Sequence, residues 1–421
     1  MRAWANLYPW DVDGDPAAAG RLAGLGLAGV TLAAAYHAVR AVTPFHPEHR
    51  IVTRDAAVYY RTDPARWGDA PERHGPAQLR PVVARPAGSF ERAAAALRSR
   101  GLAVTAWVVV THHDTLGAAV PPAAVRNAFG DAYPWALCLA SPAVREYAVC
   151  LASEVAALAE ADAVELEACG WYGVEHLSAH DKTAGAAGGA AQWLLSVCFC
   201  PVCRSEYAAA GADPAWLAAQ VRAAVDSLSE PPPAAPAAVS PGTLPQREAT
   251  LAEEAADVLT SVRAALASRF QREVIAAARD AAPRKPVYLH IHPDPRATGA
   301  NPGCDADALA GAAGVVLSCW DPATAPTLVV RAAATVPEGT AIAASLLAVA
   351  GLGGDPATLP AQAAAVRAAG ATELRLYHAG LATAPDLAAI GGLCSAGGLA
   401  SGPPRPAEPP PRPADPPASA S

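Results

Sequence analysis

The stretch AVELEAC, residues 163–169, decides how the rest of the chain is read. Val164, Leu166 and Ala168 form one face of a predicted strand, and Glu165, Glu167 and Cys169 the other, because successive side chains along a strand point to opposite sides. An apolar face is what a strand covered by helices requires. Two carboxylates on the opposite, interior face are costly there unless they are paired or put to use. Seven other stretches share this character: residues 3–9, 29–37, 103–113, 286–293, 314–320, 341–349 and 373–380. Ala/Leu/Arg-rich amphipathic segments separate them, and several end at a glycine just before the next strand, as βα repeats do. Eight strands alternating with helices and closing near residue 395 predict an α/β fold, a (β/α)8 TIM barrel. An open doubly wound sheet is the weaker alternative, since no Gly-rich phosphate fingerprint follows the first strand.

A chain of 421 residues that is 52% hydrophobic can bury a large core. Its net charge of -8 and lack of a Lys/Arg cluster argue against a nucleic-acid partner. No apolar run reaches membrane-spanning length, and the opening MRAWANLYPWDVDGD has no signal core, so a cytoplasmic location is expected. Nine cysteines in that setting read as reduced thiols or metal ligands rather than a disulfide framework. Residues 1–395 read as one catalytic barrel domain. Two long segments break its period: residues 38–90 after strand two, and an insertion at 170–250 after strand four that holds CFCPVC (198–203) and a Pro/Ala-rich loop. Both follow strand C-terminal ends, the face on which barrel sites are built. Residues 396–421 form a Pro-rich tail for which disorder is expected.

The polar faces of the strands give the inventory of the barrel mouth: Asn6 and Tyr8, His37, His112 or His113, Glu165 and Glu167, then Tyr288, His290 and His292, Trp320 and Asp321, and Arg375 and Tyr377. Acids at a mouth ringed by aromatic residues point to carbohydrate chemistry. Glycoside cleavage needs one carboxyl to protonate the leaving oxygen and another to attack or to activate water. Glu167 and Asp321, at two strand tips, are the candidate catalytic pair. Glu165 lies one layer deeper and is expected to pair with Arg375, since strands four and eight contribute to the same layers. The substrate-binding candidates are Asn6, Tyr8, His37, His113, Trp171, Tyr172, His292, Trp320, Arg375 and Tyr377. His180 and Lys182, from SAHDKTAG (178–185) above strand four, join them, and Trp10 and Trp67 are further stacking candidates. A competing reading uses His290 and His292 as chelators in a metal-dependent hydrolase or lyase; a third is a carbohydrate-binding pseudo-enzyme. Cys198, Cys200 and Cys203, as C-x-C-x-x-C, suit a structural zinc, with Cys138, Cys150 and Cys169 as candidates for the fourth ligand. No organic cofactor is expected.

The strand-four glutamate and the downstream C-x-C-x-x-C resemble glycoside-hydrolase barrels, in particular family-42 β-galactosidases, where a similar cluster after strand four binds a structural zinc. YHAVRAVTPFHPEHR, AWVVVTHH, NAFGDAYPWALCLASPAVREYA, VELEACGW, HDK and CFCPVC together look like an uncharacterised, actinobacterial-type group of hydrolase-like barrels, over residues 1–395. The chain departs from the family-42 pattern in two places. Leu166 stands where an asparagine precedes the strand-four glutamate, and AIAASLLAVAG on strand seven contains no acid. Acids on strands four and six are instead similar to α-galactosidase-type barrels. That likeness implies Glu167 as nucleophile and Asp321 as proton donor.

Overall fold

Eight parallel strands close on themselves in the computed structural model, which describes residues 1–67, 79–177, 190–229 and 251–395. They are β1 (Arg2–Leu7), β2 (Gly29–Tyr36), β3 (Ala103–Val109), β4 (Ala163–Glu167), β5 (Val287–His290), β6 (Gly314–Ser318), β7 (Ala341–Leu347) and β8 (Glu373–Tyr377). Each pairs with its sequence neighbours, and β1 pairs with both β2 and β8, which leaves a closed (β/α)8 barrel. His180, Lys182, the Pro/Ala-rich loop and the Pro-rich tail lie outside the described residues.

Alternation sorts the strand residues. Leu7, Leu32, Val108, Leu166, Leu289, Leu317, Leu346, Leu374 and Leu376 are fully buried and face the helical layer, and the interior takes the other set. At one interior level Arg375 donates to Glu165 through Nε (2.7 Å) and to Glu373 through Nη1 (3.1 Å), while its guanidinium lies over the rings of Trp4 and Tyr288 at 4.8 and 5.1 Å. The Glu165–Arg375 pair expected from the layer rule is thus present. Removing one partner of such a buried pair typically costs about 3–5 kcal/mol, because the other charge is left uncompensated.

The helical layer follows from ordinary signals. The helix Pro142–Ala157 opens on a proline at its first turn, where the missing N–H costs nothing. The 29-residue helix Glu253–Ala281 has Glu253 and Glu254 in its first turn and Arg279 in its last, matching its dipole. It buries Leu259, Leu266, Phe270, Val274, Ile275 and Ala278 along one stripe.

Structured elaborations follow the C-terminal ends of β2, β3 and β4. After β2, an antiparallel hairpin pairs Val39–Val42 with Ile51–Arg54, and Ala57–Val58 then adds to the end of β2. The segment is held down by Glu154, whose carboxylate accepts from Tyr60 Oη (2.7 Å), Trp67 Nε1 (2.8 Å) and Asp63 N (2.5 Å). After β3, the strands Ala124–Arg126 and Ala132–Leu137 form a second hairpin. The helices Ala190–Leu195, Pro201–Ala209 and Pro214–Ser229 belong to the insertion that follows β4. No helix of the described residues is long and apolar enough to cross a membrane.

Several strands stop earlier than the sequence pattern suggests. The third ends at Val109 rather than running to residue 113, and the fifth ends at His290. The apolar–polar alternation therefore assigns no face to His112, His113 or His292.

Candidate active site

A cavity of about 990 Å³ opens at the C-terminal ends of the strands. Its wall includes Glu167, Trp107, His290, Tyr8, Tyr36, Tyr377 and Asn6, with Trp320 and His37 higher up and Arg375 at its base. Glu167 closes β4. The next residue, Ala168, is forced into the left-handed region at φ 55°, a conformation that costs a non-glycine residue of order 1 kcal/mol or more. The turn is held from three sides: Ala168 N donates to Ala300 O (2.9 Å), and Thr111 Oγ1 donates to Ala168 O (2.6 Å) and Gly170 O (3.1 Å). The chain is thus turned sharply out of the barrel directly after the carboxylate.

Glu167 is buried, and Trp107 Nε1 donates to its Oε2 at 2.6 Å. His290 Nδ1 lies 3.8 Å from the same oxygen, and its Nε2 meets Glu165 Oε1 at 2.9 Å. The two glutamates of the strand therefore differ sharply in state. Burial alone pushes Glu165 upward, but the Arg375 charge and the His290 contact override it and hold it at about 2. Burial raises Glu167, the neighbouring Glu165 charge adds to that, and His290 and Trp107 only partly oppose it. Burial depresses His290, yet its bond to Glu165 and the field of Glu167 leave it raised overall. Glu165 is held ionised by Arg375, and both members of the Glu167–His290 pair hold a proton more readily than the free groups do.

Glu165 also carries a stability consequence. Its folded value lies below the ordinary 4.5, so its contribution is complete above that value and is lost as the pH falls from about 4.5 to about 2. At neutral pH it is on the order of 3 kcal/mol. Urea midpoints measured from pH 7 to pH 2 should drop through that window, and Glu165→Gln should remove that part of the drop. An unchanged acid limb in the variant would contradict this.

The aromatic wall is continuous. Tyr8 meets Tyr36 edge-on at 5.1 Å, Tyr36 meets Trp107 at 4.8 Å, and Trp320 tilts over Tyr377 at 4.9 Å. Trp320 is 44% exposed and gives Nε1 to Ser345 Oγ at 3.4 Å, so its face is open at the rim. Asn6 is buried on the wall, and its Oδ1 has no hydrogen-bond partner among the described residues. An unmet buried acceptor of this kind costs about 1–3 kcal/mol and suits a ligand hydroxyl.

Of the residues expected at the mouth, Asn6, Tyr8, His37, Glu167, Trp320, Arg375 and Tyr377 line the cavity. Others have different neighbours. Asp321 is exposed and outside the lining; its carboxylate accepts from Ala323 N (3.0 Å) and Thr324 Oγ1 (2.7 Å), an Asx turn leading into the helix Ala325–Thr335. Trp171 is buried under the Arg263 guanidinium (4.4 Å) and donates Nε1 to Arg263 O. Tyr172 is buried, stacks on His112 at 4.0 Å and donates to His176 O. His113 caps the helix Asp114–Ala119, accepting from Leu116 N, and His292 Nδ1 accepts from Asp294 N. His292 therefore does not join His290 at the floor. Trp10 and Trp67 are buried. The sequence reading did not single out Tyr36, Trp107, Asn301 or Asp55, all of which line the cavity. Asp55 is the second carboxylate of the described lining and follows the hairpin strand Ile51–Arg54.

A second cluster lies in the elaborations after β3 and β4. Cys138, Cys198, Cys200 and Cys203 are all buried, and their sulfurs lie within 4.8 Å of one another. Cys138 Sγ is 3.7 Å from Cys198 and Cys200 and 3.6 Å from Cys203. Four thiolates at about 2.3 Å from a tetrahedral zinc would be about 3.8 Å apart, a spacing that the three Cys138 distances match. Cys150 is half-buried and bonds Arg66 O, while Cys169 bonds Glu167 O; neither is in the cluster. Among the described residues no other group of three or more His, Cys, Asp or Glu converges in this way.

No family model and no curated protein matches the chain by sequence. Solved structures do. The glycoside hydrolase domain of PgaB (BpsB) from Bordetella bronchiseptica is similar at a TM-score of 0.56 and 16% identity, over 94% of this chain and 98% of that one. α-L-Fucosidase isoenzyme 2 from Paenibacillus thiaminolyticus follows at 0.55 and 14%, over 94% and 49%. A β-galactosidase from Bacillus circulans sp. alkalophilus is similar at 0.52 and 10%, over 94% and 55%. The likeness is one of fold: the barrel is shared with these glycoside hydrolases.

Proposed function

We propose that this chain is a glycoside hydrolase acting on a small glycoside or oligosaccharide, with Glu167 as the group that protonates the leaving oxygen. The observation that carries this reading is the state of Glu167: a buried, upward-shifted carboxyl on the floor of a sugar-sized cavity, beside a histidine that can return its proton. Trp320 supplies an apolar face for a sugar ring, and Asn6 a buried acceptor for a hydroxyl. The similar fold of hydrolases that act on fucosides and galactosides supports the substrate class. Asp55 takes the role of second carboxyl, either attacking the anomeric carbon or activating water, in place of Asp321, whose oxygens are spent on its own turn. The cysteine cage holds a structural zinc that ties the insertion to the hairpin after β3 and stands apart from the chemistry.

The test is a glycoside screen followed by Asp55→Asn and Asp321→Asn on whichever substrate is turned over. Asp55→Asn should cut kcat at least about 100-fold, and Asp321→Asn should leave it within twofold. The reverse pattern would return Asp321 to the mechanism. The anomer of the first product, read by NMR, separates attack by Asp55 from activation of water.

A further inference from the structure

A cavity of about 470 Å³ on the insertion side of the molecule shares no lining residue with the barrel mouth. Three arginines from three separate elements meet there: Arg126 at the end of the strand Ala124–Arg126, Arg204 in the helix Pro201–Ala209 and Arg222 in the helix Pro214–Ser229. Each is tethered by one backbone carbonyl. Arg126 Nη1 donates to Gly130 O (2.6 Å), Arg204 Nε to Phe199 O (3.2 Å) and Arg222 Nη1 to Ala128 O (3.0 Å).

Among the described residues none of the three meets a carboxylate, and no acid lines the cavity. Asp131, close by in sequence, accepts instead from Asn127. Other arginines of this chain do find acids: Arg92 with Asp13, Arg98 with Asp162, Arg145 with Glu273. What sets these three apart is their convergence: three guanidiniums without a carboxylate gather around one cavity in a chain of net charge -8. Pro201 is also on the wall, which places the positive end of a nine-residue helix beside them. Phe129, 44% exposed, and Phe199 complete the lining with apolar surface. The wall is braced by the cysteine cage, since Arg126 N donates to Cys198 Sγ (3.4 Å) and Phe199 N to Arg126 O (2.6 Å).

We infer that this cavity is a binding site for a phosphate or sulfate monoester carried on a ring with an apolar face. Guanidinium forks pair with tetrahedral oxyanions through parallel N–H bonds, and the two phenylalanines receive the ring. The site is separate from the glycosidic one, so its ligand is a second molecule or a distant part of a charged saccharide.

Calorimetry on the full chain at low ionic strength tests this with phenyl phosphate and phenyl sulfate, against inorganic phosphate and phenol as the two halves. At least one ester should bind one-to-one, tenfold or more tightly than either half, and the ratio of the two esters reads which oxyanion is preferred. The double variant R126Q/R222Q should weaken that binding at least tenfold with circular dichroism and metal content unchanged. R40Q, in the barrel mouth, should leave it intact. Absence of saturable binding by both esters, equal affinity in the double variant, or loss in R40Q alone would overturn the assignment.

Discussion

Glu167→Gln should lower kcat by about 10³-fold on an unactivated glycoside, with KM little changed. Glutamine has the same shape, and its Oε1 can still accept the Trp107 N–H that now bonds Glu167 Oε2 at 2.6 Å. The fold and the sugar platform should therefore survive. What is lost is the proton, and general-acid catalysis is worth about 10²–10⁴-fold. The sign of the pH dependence follows from the raised state of the group. The acid must be protonated to work, so the wild-type rate should fall as the pH rises through the elevated Glu167 value, and that basic limb should vanish in the variant. Leaving-group dependence gives a sharper reading. A glycoside with a nitrophenolate leaving group needs little protonation, so the variant should recover most of its rate on it. A nucleophile, the role implied by the α-galactosidase-type likeness, behaves differently: its loss would cripple turnover of activated and unactivated substrates alike. Equal loss on both would move Glu167 to the nucleophile's role, and unchanged turnover on both would remove it from the mechanism.

The barrel was legible because burial on both faces leaves a strong mark on sequence. All eight strands stand where apolar runs alternate with amphipathic segments, and Glu165 found Arg375 because layer membership follows from strand number. The site was legible only as far as the alternation could be trusted. Its failures have local causes. β2 carries an irregularity between Ala33 and Ala35, so that Ala33 pairs with Trp107 and Ala35 with Val108. One extra residue exchanges the two faces of a strand, and Tyr36 is thereby brought to the cavity, whereas simple parity from Thr31 points to His37. Trp107 was available to the same parity argument, but a strand read through to residue 113 drew attention to its far end instead. His113 and His292 lie past the true strand ends, where the backbone has begun to turn and side chains are spent on local N–H groups. Asp321 illustrates the same limit: an aspartate before proline at a strand tip has a nearby turn to cap, and the turn takes both its oxygens. Asp55 comes from a hairpin whose folding back over the mouth has no periodic signature at all.

Disruption of the proposed zinc site should have the largest effect on stability. The cage draws Cys138 from the segment after one hairpin and Cys198, Cys200 and Cys203 from the insertion, about sixty residues apart in sequence, so an ion there closes a long loop as well as filling a site. Structural zinc in small domains contributes about 10–16 kcal/mol of apparent binding energy, comparable with the whole stability of a typical domain at about 5–15 kcal/mol. Its loss cannot be absorbed locally: four buried thiols would have to repack at sulfur separations set for a tetrahedron. Chain purified without chelator should carry about one zinc. Cys138→Ser should lose it and lower Tm by about 10 °C or more, since each kcal/mol lost moves Tm by about 1–2 °C in a domain of this size, the shift per kcal/mol falling as the unfolding entropy grows with length. Early proteolysis should fall within the insertion, while far-UV circular dichroism stays close to native because the barrel strands contribute no ligand. Cys150→Ser is the matched control, a thiol change outside the cage that should leave metal content and Tm alone. His290→Ala should also keep the zinc, which separates the structural ion from any chemistry at the barrel floor. A Cys138→Ser protein that retained its equivalent of zinc and melted with the wild type would show that the four sulfurs are close only because they are packed.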